Sequence, residues 1–568
     1  MRLHRRSFVL TVLAVSLSGL ISWSLFRPQA APTHPLDQIT PEGPMLYIEA
    51  KDFSVLLKDW NSSAERAQWL KSDDYRVFSN SRLFLRLGQA QDQFATAAGL
   101  PPNMQFLVEA AGKESAVAVY DIGNLEFLYI SRLSSGNFLQ SKLWQSRSKF
   151  QPRTAAGRQF YARKDEESGR VVAFAVADDY LVLGTREDLV AGALELMSGS
   201  KGRNLHQEGW YTQALAAGSN TPGDLRMVMN LEKLAVTPHF RTYWIQRNIT
   251  EMQSYASAIS DLYREGAIYR EERVIIPKNQ ADESALAQST QAVSSLLSSV
   301  PKDVGFYQSG AVTARECLAV LRQKILSAEF AAITTEKLAP QVQLTSGATG
   351  SGSDLETRID VEPASRAAGA DPTAALLLEL EKTKTQAALT VQSTRKNSDG
   401  VLLSIPTVLA IAGAEDWDVP ALQRATQQII APAMTASTLG LQWREVKESG
   451  GYYELDGLNP VQMAIRGKVI YFANDAALLS TVLQTRNQPL SQAVTYAAGF
   501  SHSRERENFY KLTALLDQSA RGTTTEPQFF SQNIASFSRT WSKLESEEVI
   551  TRQTKDKIHQ TVTYRWIP

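Results

Sequence analysis

The side chains that most often carry chemistry are sparse in this chain and are not spaced for it. Its 568 residues hold six histidines: His4, His34, His206, His239, His502 and His559. None lies three to five residues from another, so no short-range ligand pair for zinc is encoded. Neither a metal nor a cofactor is expected. Gly499-Phe-Ser501-His-Ser approaches a nucleophile elbow but lacks the closing glycine. Ser146-Arg-Ser-Lys149 and Ser299-Val-Pro-Lys302 have Ser-x-x-Lys spacing, yet no Ser-Asp-Asn or Lys-Thr-Gly partner accompanies them. The glycine-rich run from Gly347 to Ser353 is followed by no Lys-Ser/Thr pair, so it reads as a loop rather than a phosphate cradle. The adjacent carboxylates Asp73-Asp74, Asp178-Asp179 and Glu547-Glu548 fall in polar, solvated contexts. Arg504 to Glu507 reads as a helix face with local ion pairs. Cys317 is the sole cysteine, in a helical apolar pattern, and is expected to be buried and inert.

No catalytic residue can be assigned from these patterns. The expectation is a non-catalytic scaffold, binding or assembly factor, leaning away from an enzyme. An envelope enzyme of hydrolase type would need a site assembled from distant residues. His206, His239, His502 or His559 would then meet a carboxylate or serine across a cleft. A carrier for an apolar ligand would need a large apolar cavity. The aromatic clusters Phe240, Tyr243, Trp244 and Phe529, Phe530, Phe537 suit either a groove or ordinary core packing.

Composition narrows the partners. Hydrophobic residues make up 43% and charged residues 21%, values of an ordinary globular chain. Lys+Arg and Asp+Glu both number 59, and a zero balance argues against nucleic acid, which requires a basic surface. The N-terminus points to a membrane. Phe8 to Phe26 is uncharged and apolar, long enough for a hydrocarbon core of about 30 Å. Arg2, Arg5 and Arg6 precede it, which places the N-terminus in the cytoplasm and the bulk in the periplasm or outside. The reading is a single-pass signal-anchor in the inner membrane, residues 1–27, with a cleaved signal peptide as the alternative. Arg5-Arg6-Ser7-Phe8-Val9 also resembles a twin-arginine export signal. Residues 28–44 carry five prolines and read as a semi-rigid stalk. A protein partner in the envelope is expected.

The elements that would position any site come from a duplication. Residues 172–194 and 461–483 align without a gap as strand, polar two-residue turn (Asp178-Asp179; Gly467-Lys468), strand and helix, with Thr185 and Asn474 as expected helix caps. Phe160-Tyr161 and Tyr452-Tyr453 fall in matching places upstream, and Pro41 to Tyr47 matches Pro301 to Tyr307. Ala116–Tyr120 and Phe127–Ile130 pair in this scheme with Val401–Leu403 and Thr407–Ile411. The offset grows from 260 to 289, and the 29 extra residues are assigned to an insertion near 345–373. The expected fold is thus α+β: a transmembrane helix, then two tandem related modules with mainly antiparallel sheets. The first spans 45–278, a polar helix or linker spans 279–300, and the second spans 301–568. Strands are expected at Leu225–Met229, Ala493–Tyr496 and Gln560–Ile567.

The opening Pro41 to Tyr47, the strand Ala116 to Tyr120 and the hairpin Val176 to Thr185 together resemble an uncharacterised family of bacterial membrane-anchored envelope proteins. The resemblance covers most of the first copy and is looser over the second. It implies an envelope address and brings no known activity or site residues.

Overall fold

The structure, a computed structural model, describes residues 34–567 apart from 81, 134–138, 140, 239–251, 327–372, 395–404, 435–440, 448–450, 456–459, 488–492 and 509–541. Among the described residues there are twenty strands. The first ten are β1 (Leu46–Lys51), β2 (Glu114–Asp121), β3 (Glu126–Arg132), β4 (Gln151–Ala155), β5 (Arg158–Lys164), β6 (Val171–Ala177), β7 (Tyr180–Gly184), β8 (Leu225–Asn230), β9 (Tyr255–Glu265) and β10 (Ile268–Pro277). The second ten are β11 (Phe306–Ala311), β12 (Thr385–Gln392), β13 (Thr407–Gly413), β14 (Trp443–Val446), β15 (Tyr452–Leu455), β16 (Val461–Arg466), β17 (Val469–Ala473), β18 (Tyr496–Ser501), β19 (Leu544–Gln553) and β20 (Ile558–Trp566).

Hydrogen bonding repeats the same order twice. The first ten strands run β4-β5-β6-β7-β3-β2-β1-β8-β9-β10. Adding ten to each label gives the order of the second ten. The ladder is antiparallel, and β10 pairs with β20 from Ile268↔Arg565 to Ile275↔Ile558. Compactness does not follow the repeat. One unit holds residues up to Tyr47, Asp52–Ser54 and Ala90–Glu208; the other holds Ile48–Lys51, Val55–Gln89 and Gly209–Pro568. The chain passes between them within β1.

Three expectations are corrected here. The second copy has no sheet of its own, because β20 continues the ladder of β10. What the described residues form is a large antiparallel sheet of twenty strands with helices, in place of a spanning helix followed by two separate modules. Among the described residues no helix is long and apolar enough to cross a membrane. The helix Arg82–Ala98 is 17 residues long and carries Arg82, Arg86 and Asp92, whereas a span needs about 20 apolar residues. The single-pass inner-membrane placement therefore has no support in the structure, and its proposed span Phe8–Phe26 lies outside the described residues. Nor do residues 34–44 form a free stalk. Leu36, Ile39 and Thr40 are buried, Leu205 N donates to Thr40 O at 2.9 Å, and Tyr120 Oη donates to Pro41 O at 2.7 Å.

The extra residues of the second copy are also distributed differently. Phe127 and Thr407 occupy the same place, as do Val117 and Thr390, so the offset is 260 at β1/β11, 273 at β2/β12, 280 at β3/β13 and 289 at β6/β16. Growth of 13, 7 and 9 residues replaces one insertion; the segment 345–373 lies almost wholly outside the described residues. The strand equivalent to β2 is β12, where the sequence pointed to Val401–Leu403, also outside them.

Burial explains why these segments become strands. β13 is buried along its whole length: Leu409 and Ile411 join a core with Met463, Ile470 and Phe472, while Val408, Ala410 and Ala412 join another with Ala464, Tyr471 and Ala473. A strand covered on both faces reads as a continuous apolar run, as Thr407 to Ala412 does. The expected polar helix or linker 279–300 contains helix α3 (Glu283–Leu297), whose Val293 and Leu296 enter the second of these cores. Helix α1 (Glu187–Met197) buries Leu189, Val190 and Leu194, and α2 (Gly209–Ala217) buries Tyr211 and Ala214.

The matched hairpins share finer geometry. The first turn residue is left-handed in both, Asp178 at φ +53° and Gly467 at φ +57°. Thr185 and Asn474, expected to cap helices, instead clamp a strand. Thr185 Oγ1 accepts from Phe127 N at 2.9 Å, and Asn474 Oδ1 accepts from Thr407 N at 2.7 Å. The caps fall one residue later, where Asp475 accepts from Leu478 N at 2.9 Å. Replacing Thr185 with Val or Asn474 with Ala strands an inward-facing amide, which costs about 1–3 kcal/mol. Chemical denaturation of each variant is expected to show a loss in that range, and no loss in either would refute the clamp.

Candidate functional site

The site is built on β9, β10, β20 and β19. Registered neighbours give three rows across one face: Ile259–Val274–His559–Arg552, Asp261–Glu272–Thr561–Ile550, and Tyr263–Arg270–Thr563–Glu548. Charge is concentrated in the middle of this face. His559 Nε2 lies 2.9 Å from Glu272 Oε2 on the cross-strand diagonal, Thr561 Oγ1 donates to the same oxygen at 2.8 Å, and Arg270 Nη1 donates to Oε1 at 2.6 Å. Arg270 also lies 4.7 Å over the Tyr263 ring.

A cavity of about 610 Å³ opens above these residues. Its floor is Arg270, Glu272, Val274 and His559, and Arg552 and Lys557 stand at the β19–β20 end. The opposite wall is the end of α2 and the residues after it, from Ala217 to Thr221. A buried ion pair fixes that wall. Arg226 donates from Nε and Nη2 to Asp261 at 2.7 and 2.9 Å, and from Nη2 to Ser219 O at 2.6 Å. Asp261 Oδ1 also accepts from Gly223 N at 3.0 Å, and Tyr263 Oη donates to Thr221 O at 2.9 Å. Gly223 is required there, since a Cβ would stand 2.4 Å from Leu262 O. With every charge of this pair satisfied, removing one partner would leave the other buried and unpaired, a loss of about 3–5 kcal/mol.

Burial alone would raise the Glu272 carboxyl, but the bonds from His559, Thr561 and Arg270 outweigh it and hold the group down to about 2. The two cations at the far end differ from Arg270. Among the described residues neither Arg552 nor Lys557 forms an ion pair within 4 Å, Lys557 acts electrostatically on the exposed Asp556, and Arg552 Nε is buried with no hydrogen-bond partner.

No family model matches the chain, and no curated protein matches it. Among solved structures, crystal form I of TP0453 is 9% identical over 45% of this chain and 83% of that one, with a TM-score of 0.25. Crystal form III is 8% identical over 46% and 88%, with a TM-score of 0.24. At these scores neither likeness carries an argument.

The other residues singled out from the sequence fall elsewhere. His206 Nδ1 lies 2.7 Å from Asp37 Oδ2 and is half exposed. His502 packs on Phe500, with Nε2 3.8 Å from Glu547, too far for a hydrogen bond. His4 and His239, the loop 347–353 and both aromatic clusters lie outside the described residues. Ser146 donates to Leu143 O, away from Lys149 chemistry. Glu547 and Glu548 point to opposite faces of β19, and Glu548 accepts from Tyr307 Oη at 2.8 Å. Asp178 pairs with Arg158 at 2.8 Å. Arg504 pairs with Asp303, and Glu505 accepts from Thr394 Oγ1, so that run serves mainly long-range contacts rather than its own helix face. Among the described residues no cluster of three or more metal-ligating side chains occurs. Sequence reasoning named His559 but missed Glu272, Arg270, Arg552 and Lys557. The available signal was Tyr269-Arg-Glu-Glu-Arg273, a strand charged on both faces.

Two measurements check this chemistry. Glu272 binds a proton less readily folded than unfolded. Its contribution to stability is therefore complete above about pH 4.5 and is lost as the pH falls toward 2. Denaturation at stepped pH should show the gap between wild type and Glu272→Gln narrowing across that window; a constant gap would contradict the assignment. Burial pushes the Cys317 thiol up to about 12. Native protein at pH 8 should resist iodoacetamide and react once denatured, and rapid native alkylation would show the thiol to be accessible.

Proposed function

We propose that the protein is a non-catalytic binding module whose small-molecule ligand occupies the cavity at the β10–β20 pairing. The observation that carries this reading is the order of groups around Glu272. In a hydrolytic triad the imidazole stands between the acid and the hydroxyl nucleophile. Here the carboxylate stands in the middle and receives both His559 and the Thr561 hydroxyl, so Thr561 faces a weakly basic carboxylate in place of the imidazole. A carboxyl held at about 2 is also a poor proton carrier near neutrality, where an acid–base catalyst works best with a matched pKa. The same network suits binding, because its charged groups are mutually fixed before any ligand arrives. A purely apolar ligand is disfavoured by the charged floor.

Retention of small molecules by the full chain tests the proposal. The protein is incubated with a metabolite extract, separated from unbound compounds, and the retained compounds are identified by mass spectrometry. A compound recovered chemically unchanged, at no more than one per chain, is the expected result. Product formation by the wild type that is abolished in His559→Ala would overturn it, and so would an empty protein.

A further inference from the structure

We infer that the cavity takes an oxyanion, the carboxylate or phosphate group of a small organic molecule, bound between Arg552 and Lys557. This rests on the binding reading above and adds the class of ligand.

The charges around the cavity do not balance. Arg270, Arg552 and Lys557 contribute three positive charges, and Glu272 contributes one negative charge. The last turn of α2 presents carbonyls equivalent to about half a negative charge. Among the lining groups the remainder is positive by more than one charge. Asp556 at the turn tip is outside the cavity lining and fully exposed; it accepts from Thr554 Oγ1 at 2.8 Å, and the charge of Lys557 acts on it through screening solvent.

The distribution of partners locates the anion. Arg270 and His559 are engaged by Glu272, and Arg226 by Asp261. Arg552 and Lys557 form no close ion pair and stand at one end. Among the described residues no hydrogen bond or close ion pair engages the Arg552 guanidinium, which lines the cavity, so an acceptor seated there would meet its outer nitrogens unopposed. A carboxylate or phosphate supplies one, and guanidinium geometry matches either in a forked pair. The rest of the cavity suits an organic body, with Val274, Ala217 and the Tyr263 ring in its wall and floor.

Three probes with one ring separate the alternatives: benzoate, phenyl phosphate and neutral benzamide, titrated calorimetrically into the full chain at low ionic strength. At least one of the two anions should bind saturably at one per chain, and the preference between them tells carboxylate from phosphate. Arg552→Gln should weaken that binding about ten-fold or more, the value of one charge-assisted hydrogen bond. Lys557→Gln lies in a turn, leaves the ladder intact, and should weaken it by at least about three-fold. Arg444→Gln, on β14 at the other end of the strand order, should leave it unchanged. Anion binding insensitive to both cavity variants would overturn the site. Benzamide binding as tightly as the anions, or no binding by any probe, would overturn the ligand class. A retained neutral compound in the extract experiment would then still support a binding module, whereas an empty protein would remove that reading too.

Discussion

The antiparallel pairing of β10 with β20 is the constraint on which the site depends. It joins strands separated by nearly three hundred residues and fixes their register at eight positions. Side chains alternate across a strand, so a slip of one residue would turn Glu272 and His559 to opposite faces. Polar residues hold this register alongside the backbone. Thr561 and His559 both reach Glu272, and Arg273 reaches Gln560 on the other face.

The two halves keep their strand order while their residues diverge. What persists is the set of demands the order imposes. Tyr47 and Tyr307 stand at the same place in β1 and β11, as do Tyr161 and Tyr453 in β5 and β15. Thr185 and Asn474 differ in type but each offers an oxygen to the amide that opens β3 or β13. A hydroxyl and an amide are interchangeable there because the requirement is a single acceptor. Gly499 shows the converse. The Tyr307 ring lies across it on the neighbouring strand, and a Cβ would come within 2.3 Å of that ring, so no side chain is tolerated.

Charge on the β9–β10–β20–β19 face is ordered by depth. Asp261 and Arg226 lie deepest, pair in a fork and take up the neighbouring backbone groups, which is what burial of charge demands. Glu272 is shallower and shares three donors. Arg552 and Lys557 stand nearest the turn and form no close ion pair. The cavity therefore has a satisfied end and an unsatisfied end, and polarity within it follows from which charges the fold itself has used.

The sequence by itself determined the duplication, the paired hairpins with their polar turns, the strands Leu225–Met229 and Gln560–Ile567, and the burial of Cys317. All of these rest on local periodicity or on one stretch resembling another. It did not determine where the extra residues of the second copy lie, because β12 is separated from β11 by a long segment and only registration against β13 identifies it. It misassigned Thr185 and Asn474, since a polar residue before a helix looks like a cap whether its oxygen turns to the helix or to the adjacent strand. It also placed a spanning helix before two separate modules, where the described residues form one ladder through β10 and β20. The site was legible only as a charged strand and a lone His559. Bringing Glu272, His559 and Arg552 onto one face requires the register of three strand pairs, and register between distant strands is fixed by burial and hydrogen bonding across the sheet, which only the tertiary structure decided.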